Sequence, residues 1–242
     1  MKALLRWIAL VLLAALALQL FFAARIAAMA VIDPQSTAFQ RSEAWRIART
    51  RHALPWAQQW VPYTRISDHL KRAVIAAEDD NFVNHEGVDW DAVEQAWQKN
   101  AAAEARAGQR PHAAANARAP RIRGGSTITQ QLAKNLLLSG ERSMLRKGQE
   151  FVLTLLLEAF LSKERILEIY LNSVEWGDGV FGAEAAARHY LRKSAAQLSA
   201  YEAARLAVML PAPKRFEKQP DSAYLAGRGR TILARMGGAE LP

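Results

Sequence analysis

Glu78 follows the apolar stretch Ile75-Ala76-Ala77 and opens the run Asp79-Asp80-Asn81-Phe82-Val83-Asn84-His85-Glu86-Gly87. A carboxylate beside apolar residues is partly shielded from water, which raises its pKa and suits it to general acid or base work. The same acids also read as a solvated loop at a helix C-terminus. Negative charge there opposes the helix dipole, and functional sites tolerate such local conflicts. A second carboxylate, Glu150, closes the series Arg142, Arg146, Glu150, spaced four apart and so on one helix face, with Lys147 adjacent. Two guanidiniums on one face can grip a phosphate by paired hydrogen bonds. A routine ion pair of Arg146 with Glu150 explains the same spacing.

Between these carboxylates lies Gly124-Gly125-Ser126-Thr127-Ile128-Thr129-Gln130-Gln131-Leu132-Ala133-Lys134-Asn135. Ile128 and Leu132 supply one narrow apolar stripe. The rest is hydroxyl and amide, where a solvated helix face usually carries Glu and Lys pairs. That density suits a ligand rich in hydrogen-bonding groups, such as a sugar or a phosphate. A capping box, with Thr127 as N-cap and Gln130 three residues on, accounts for part of it. Paired carboxylates are a common tool for breaking or making glycosidic bonds, and added cations suit an anionic leaving group such as a pyrophosphate.

These residues need helices to hold them. Apolar spacing predicts a helix over Asp68–Asp80 and another over Asp89–Ala107, drifting into Ala-rich sequence. Gly108–Arg121, with Pro111 and Pro120, reads as a surface loop. The polar helix runs from Thr127 to about Leu138, and Ser139-Gly140 breaks it. Glu141–Leu161 reads as a long helix whose segment Phe151–Leu157 is nearly all apolar, which predicts burial in the core. Ser162 caps Lys163–Asn172, Gly177-Asp178-Gly179 with Gly182 mark a turn, and Ala183–Leu191 is helical. Ser199 with Glu202 forms a capping box for a helix ending before Pro211, and a last helix covers roughly Ala223–Met236. No segment alternates with a clear period of two, so the expected fold class is all-α. In Asp33–Ser67, Pro34, Pro55 and Pro62 break any long helix. Trp56, Trp60 and Tyr63 there suit either a membrane interface or packing on the domain.

The chain of 242 residues has no Cys and a net charge of +9. That excludes disulfides and thiol chemistry. Trp7–Ala24 is an apolar run whose only polar residue is Gln19. Its 18 residues span about 27 Å, close to a bilayer's hydrocarbon core. Lys2 and Arg6 precede it, which keeps the N-terminus cytoplasmic. Ala28-Met29-Ala30 also reads as a signal-peptidase site. The apolar run exceeds a usual signal core, so an uncleaved anchor is expected, with the remainder outside the cytoplasm. The implied organisation is an anchor over residues 1–32, a juxtamembrane segment over 33–67 and one globular domain over 68–242. The basic excess fits a domain tethered near anionic headgroups. A nucleic-acid partner is not expected, because neither a basic stripe with interleaved aromatics nor a known motif is present.

In this order the motifs resemble the bacterial peptidoglycan glycosyltransferases of family 51, the transglycosylase module also found in bifunctional penicillin-binding proteins. The matching residues are Glu78-Asp79 through Phe82, His85 and Gly87; Gly125-Ser126-Thr127 through Gln130-Gln131 and Lys134-Asn135; Arg146-Lys147 with Glu150; Lys163, Ile166-Leu167-Glu168 and Tyr170-Leu171-Asn172; and Gly177-Asp178-Gly179 with Gly182. The resemblance covers about residues 65–215 and is nearest the monofunctional biosynthetic type. Ala101–Pro120 is longer than the family pattern leads one to expect and falls between motifs.

The resemblance implies a lysozyme-like helical domain behind one transmembrane helix. It implies polymerisation of lipid II into β-1,4-linked glycan with inversion and release of undecaprenyl pyrophosphate. The lipid-linked growing glycan is then the donor and lipid II the acceptor. Glu78 matches the general base and Glu150 the glutamate that assists on the donor side. Lys134, Arg142, Arg146 and Lys147 match pyrophosphate-binding positions. Thr127, Gln130, Gln131 and Asn135 match groups that position sugar and phosphate, while Asp79, Phe82, His85 and Ser126 shape the motifs. A divalent cation, Mg or Mn, is implied as a cofactor, although the sequence offers no self-evident metal cage. The implied location is the cytoplasmic (inner) membrane with the domain on its outer, periplasmic side, beside other cell-wall synthesis proteins. A lysozyme-like hydrolase or lytic enzyme, with Glu78 as acid, is the alternative activity, and a non-enzymatic cell-wall scaffold is a third reading.

Overall fold

The computed structural model describes residues 1–108, 125–138, 140 and 143–242. Its elements in chain order are α1 (Lys2–Ala28), α2 (Ala38–Arg51), β1 (Ala57–Gln58), α3 (Asp68–Glu78), α4 (Trp90–Gly108), α5 (Ile128–Leu137) and α6 (Met144–Phe160). There follow α7 (Lys163–Ser173), β2 (Glu175–Gly177), β3 (Val180–Phe181), α8 (Ala183–Leu191), α9 (Ala200–Met209), α10 (Pro213–Phe216) and α11 (Ala223–Arg235). The fold is mainly helical, as expected.

Two packed groups of helices meet in one core. In the first, α3 packs on α9 and α11; in the second, α5 packs on α6, α7 and α2. Leu70 and Val74 of α3, Leu132 and Leu136 of α5, and Ile166 and Tyr170 of α7 are all buried in it. Site motifs therefore fall at the ends of helices whose apolar faces are pinned.

α1 is 27 residues long, apolar enough to cross a membrane, and lies outside the protein core for most of its length. It packs on α6. This contact corrects the expectation that Phe151–Leu157 belongs to the core. Leu153, Thr154 and Leu157 are buried, but Phe151, Val152, Leu155 and Phe160 are 38–46% exposed. An apolar helix need not be buried on every side, and α6 buries one face while leaving the other partly exposed.

The proline-bounded region 33–67 is more ordered than its sequence suggests. Pro34 and Pro55 flank α2 rather than break it, and Thr37 and Gln40 form its capping box. α2 has little apolar periodicity, with only Gln40 and Ile47 buried, so it carries no strong helical signal. Two tethers build the segment into the domain. Gln40 donates to the Ser173 carbonyl at 3.3 Å. Asn172 bonds both backbone groups of Val61 at 2.9 Å.

The three strands, in the order β1-β3-β2, also escape the sequence reading. β1 runs parallel to β3, and β2 antiparallel to it. They are two or three residues long, too short to show a period of two. Gly179 at their turn has φ +86°, and a Cβ there would lie 2.1 Å from the Pro55 carbonyl oxygen, so only glycine fits. The juxtamembrane aromatics pack on protein: Trp56 stacks on Phe181 at 4.5 Å, Trp60 lies beside Arg165, and Tyr63 lies under Lys71.

Candidate active site

Glu78 is the last residue of α3, and Gln131 reaches it from the first turns of α5. Gln131 Nε2 donates to Glu78 Oε2 at 2.9 Å, and Gln131 Oε1 accepts from the Tyr170 hydroxyl at 3.0 Å. Tyr170 is fully buried. Its hydroxyl therefore fixes which way the Gln131 amide faces, and the amide fixes Glu78. Glu78 Oε1 accepts no hydrogen bond among the described residues. Burial pushes the Glu78 carboxyl above the ordinary glutamate range, and the neighbouring Asp79 charge adds to this. The Gln131 bond and the Lys134 charge pull the other way. The shielding expected from the apolar stretch before Glu78 is thus present.

Asp79 turns inward. Its Oδ1 pairs with His85 Nε2 at 2.9 Å and its Oδ2 accepts from the Ile128 amide at 2.9 Å. The Gly87 amide donates to His85 Nδ1 at 3.1 Å, which assigns the ring proton to Nε2. Asp79 thus sits at the N-terminus of α5, where a carboxylate is favoured. It locks that helix to the α3 end that carries Glu78. Phe82 is buried, with the Lys163 ammonium over its ring.

Thr127 and Gln130 form the capping box of α5. The Thr127 hydroxyl also donates to the Gly87 carbonyl at 2.6 Å. Gly87 has φ +85°, and a Cβ there would meet Thr154 at 2.7 Å. Both cap side chains are nearly buried, and the Thr127 hydroxyl and Gln130 Oε1 are engaged by the protein. Ser126 is exposed beside them and lines the same cavity as Glu78, about 510 Å³, with Asp89, Gln95 and Lys99.

On the other side of Gln131 lies a second cavity of about 530 Å³, lined by Gln131, Lys134, Asn135, Arg146 and Glu175 among others. Lys134 and Asn135 lie three and four residues past Gln131, one turn along α5. Glu150 is buried under two cations of its own helix: Arg146 bonds Oε2 at 3.0 Å and Lys147 bonds Oε1. The i,i+4 pair of Arg146 with Glu150 is therefore present, and α6 begins only at Met144, with Ser143 as its N-cap. Desolvation lowers the Lys134 ammonium below the ordinary lysine range. Glu150 and Glu78 oppose that shift, while Arg146 and Lys147 reinforce it. Lys134 thus stands within electrostatic reach of both glutamates. Arg142, Gly124 and the loop from 109 to 120 lie outside the described residues.

Some participants were not singled out as site residues. Tyr170 belongs to a matching motif of α7, and only packing shows its hydroxyl aimed at Gln131. Glu158 receives Thr129 at 2.6 Å and Lys163 at 2.8 Å, and Lys163 also donates to the His85 carbonyl at 2.5 Å. A lone acid closing an apolar helix segment was the available signal for Glu158. Glu175, on the wall of the cation-lined cavity, gave no sequence signal.

The arrangement offers one partly shielded base, a fixed amide beside it, and a cavity with Lys134 and Arg146 on its wall. It can deprotonate a hydroxyl on one side and compensate a departing anion on the other. A family model described as Transglycosylase matches residues 46–237. The chain is 56% identical over 227 residues to a biosynthetic peptidoglycan transglycosylase of Burkholderia thailandensis, covering 94% of this chain and 83% of that protein. It is 52% identical over 241 residues to the protein so named in Paraburkholderia xenovorans, covering 98% and 94%. A third of the same name, from Burkholderia pseudomallei, is 53% identical over 227 residues, covering 94% and 83%.

Proposed function

The chain belongs to the transglycosylase family, and from that premise we infer that it polymerises lipid II into β-1,4-linked glycan strands, with inversion and release of undecaprenyl pyrophosphate. The observation that carries this reading is the Gln131 bridge. It holds the Glu78 carboxylate at 2.9 Å on one side and lines the cavity of Lys134 and Arg146 on the other.

Glu78 Oε1 takes the proton of the acceptor's 4-hydroxyl as that oxygen bonds to the donor's anomeric carbon. The bond from that carbon to the pyrophosphate oxygen breaks on the opposite face, which inverts the centre. A positioned base contributes about 10²–10⁴ in rate. Lys134, Arg146 and Lys147 compensate the charge gathering on the pyrophosphate, and Arg142 joins them by its motif position. Glu150 keeps Arg146 and Lys147 aimed on the donor side. Gln131 and Asn135 position sugar and phosphate. Thr127 and Gln130 act through the cap that places α5, and Asp79, Phe82, His85 and Ser126 shape its junction with α3.

The divalent cation that the resemblance implies finds no fitting donor set among the described residues. Glu43, Glu175 and Asp178 bring carboxylate oxygens within 4.8 Å of one another. Arg46, Arg51 and Lys214 already neutralise that cluster.

The apolar helix α1 anchors the chain in a membrane, and the substrate's lipid keeps it in the same plane. Co-localisation raises effective concentration without a new contact. We place the anchor in the bacterial inner membrane with the domain on the periplasmic side, next to other cell-wall synthesis proteins. The cation-lined cavity disfavours the hydrolase alternative, since a neutral glycan has no pyrophosphate to hold.

The test is labelled lipid II supplied to the wild type, Glu78→Gln and Glu150→Gln, with finished glycan supplied separately. Polymer from the wild type and its near loss in Glu78→Gln support the proposal. Degraded glycan with no polymer from lipid II overturns it.

A further inference from the structure

Gln19 is the one polar residue in the apolar run of α1, and it is not left unpartnered. Its Nε2 donates to Gln149 Oε1 at 2.8 Å, and Gln149 Nε2 donates back to Gln19 Oε1 at 3.0 Å. Gln149 directly precedes Glu150 on α6, and it follows Arg146 and Lys147 by less than one turn. Gln19 lies six residues before Arg25, about 9 Å deeper along the helix axis. At that depth an amide without a partner is strongly disfavoured. Every other residue of the run is apolar, so a slip of α1 along α6 orphans both amides and finds no substitute. Met144 and Leu145, on the first turn of α6, are 86% and 89% exposed, which suits a helix end held among lipid tails.

We infer that the Gln19–Gln149 pair is a register lock between anchor and domain, fixing the height at which Arg146, Lys147 and Glu150 meet the bilayer. Gln19 is thereby a positioning residue for a substrate whose pyrophosphate is held at the membrane surface. This step rests on the proposed lipid-linked substrate. The physical lock itself does not.

The chain has no cysteine, so a single Leu145→Cys carries a fluorescent label cleanly. Labelled full-length protein goes into phosphatidylethanolamine–phosphatidylglycerol vesicles containing lipids brominated at chosen chain depths. One sharp quenching depth is expected with Gln19 present, and a shifted or broadened one in Gln19→Leu. Hydrogen bonds between membrane helices measure about 0.6–1.7 kcal/mol, which at about 1.4 kcal/mol per tenfold is a three- to twentyfold change. The KM for long-chain lipid II in vesicles should rise by about that factor with kcat held. A short-chain analogue in detergent should be turned over unchanged. In Gln19→Leu/Gln149→Leu no amide is orphaned, so thermal stability recovers while the raised KM stays. An unchanged quenching depth, or an equal fall in kcat for both substrates, overturns the lock. If no polymer forms from any substrate, the quenching arm still decides it, and only the functional reading fails.

Discussion

Replacing Gln131 by Leu removes the bond that holds Glu78 and leaves the Tyr170 hydroxyl without its partner. Glu78 must be ionised to accept a proton, and its pKa already lies above the usual range because of burial. The Gln131 bond favours the ionised form, so its loss raises that pKa further. A hydrogen bond to a charged group is worth about 1.5–3 kcal/mol, and one pH unit corresponds to about 1.4 kcal/mol. The acid limb of kcat/KM for lipid II polymerisation should therefore move to higher pH. The orphaned Tyr170 hydroxyl destabilises the fold by about 1–3 kcal/mol, or roughly 2–12 °C in Tm for a chain of this size. Initial rates of labelled polymer formation, taken from pH 4.5 to 9 alongside thermal melts, read both effects. An acid limb that stays in place, or moves to lower pH, refutes the relay from Tyr170 through Gln131 to Glu78.

Lys134→Ala should lower turnover by about 10²–10³, the usual loss on removing one charge-stabilising donor. Its Tm should barely change, because burial already disfavours that ammonium in the folded protein, with Arg146 and Lys147 adding to it; a matched fall in Tm and rate would count against a catalytic role. Glu175 makes a different, purely energetic prediction. Burial raises its pKa from 4.5 to about 7, against the attraction of Lys214. The folded state thus keeps a proton that the unfolded state has released, and stability falls as pH rises from about 4.5 to 7. Glu175→Gln should then be the more stable protein at pH 8, by about 3 kcal/mol, and equal to wild type near pH 4. Denaturant melts at the two pH values check this, and equal stability at pH 8 would contradict it.

Residue type and spacing alone located the anchor, nearly every helix, and the carboxylates and cations. Those signals are local: an apolar run, a 3.6-residue period, a cap three residues from its partner. The capping boxes at Thr127 and Ser199 were readable for that reason and appear as expected. α2 and the short strands were not readable, because one is polar and the others hold too few residues for a period. The sequence also could not tell how much of an apolar helix is buried, since bilayer, core and a partly exposed face accept the same side chains; tertiary packing buries Leu153, Thr154 and Leu157 of α6 and leaves Phe151, Val152 and Leu155 partly exposed. Nor could spacing divide the polar face of α5 between structure and ligand. Thr127 and Gln130 turn back into the cap, while Gln131, Lys134 and Asn135 line the cavity. That division depends on what α3, α6 and α7 bring alongside. Asp79 is consumed by His85 and the Ile128 amide, and Tyr170 arrives from 39 residues away to orient Gln131. Local chemistry named the groups; long-range packing chose which of them keep a free hydrogen-bonding atom.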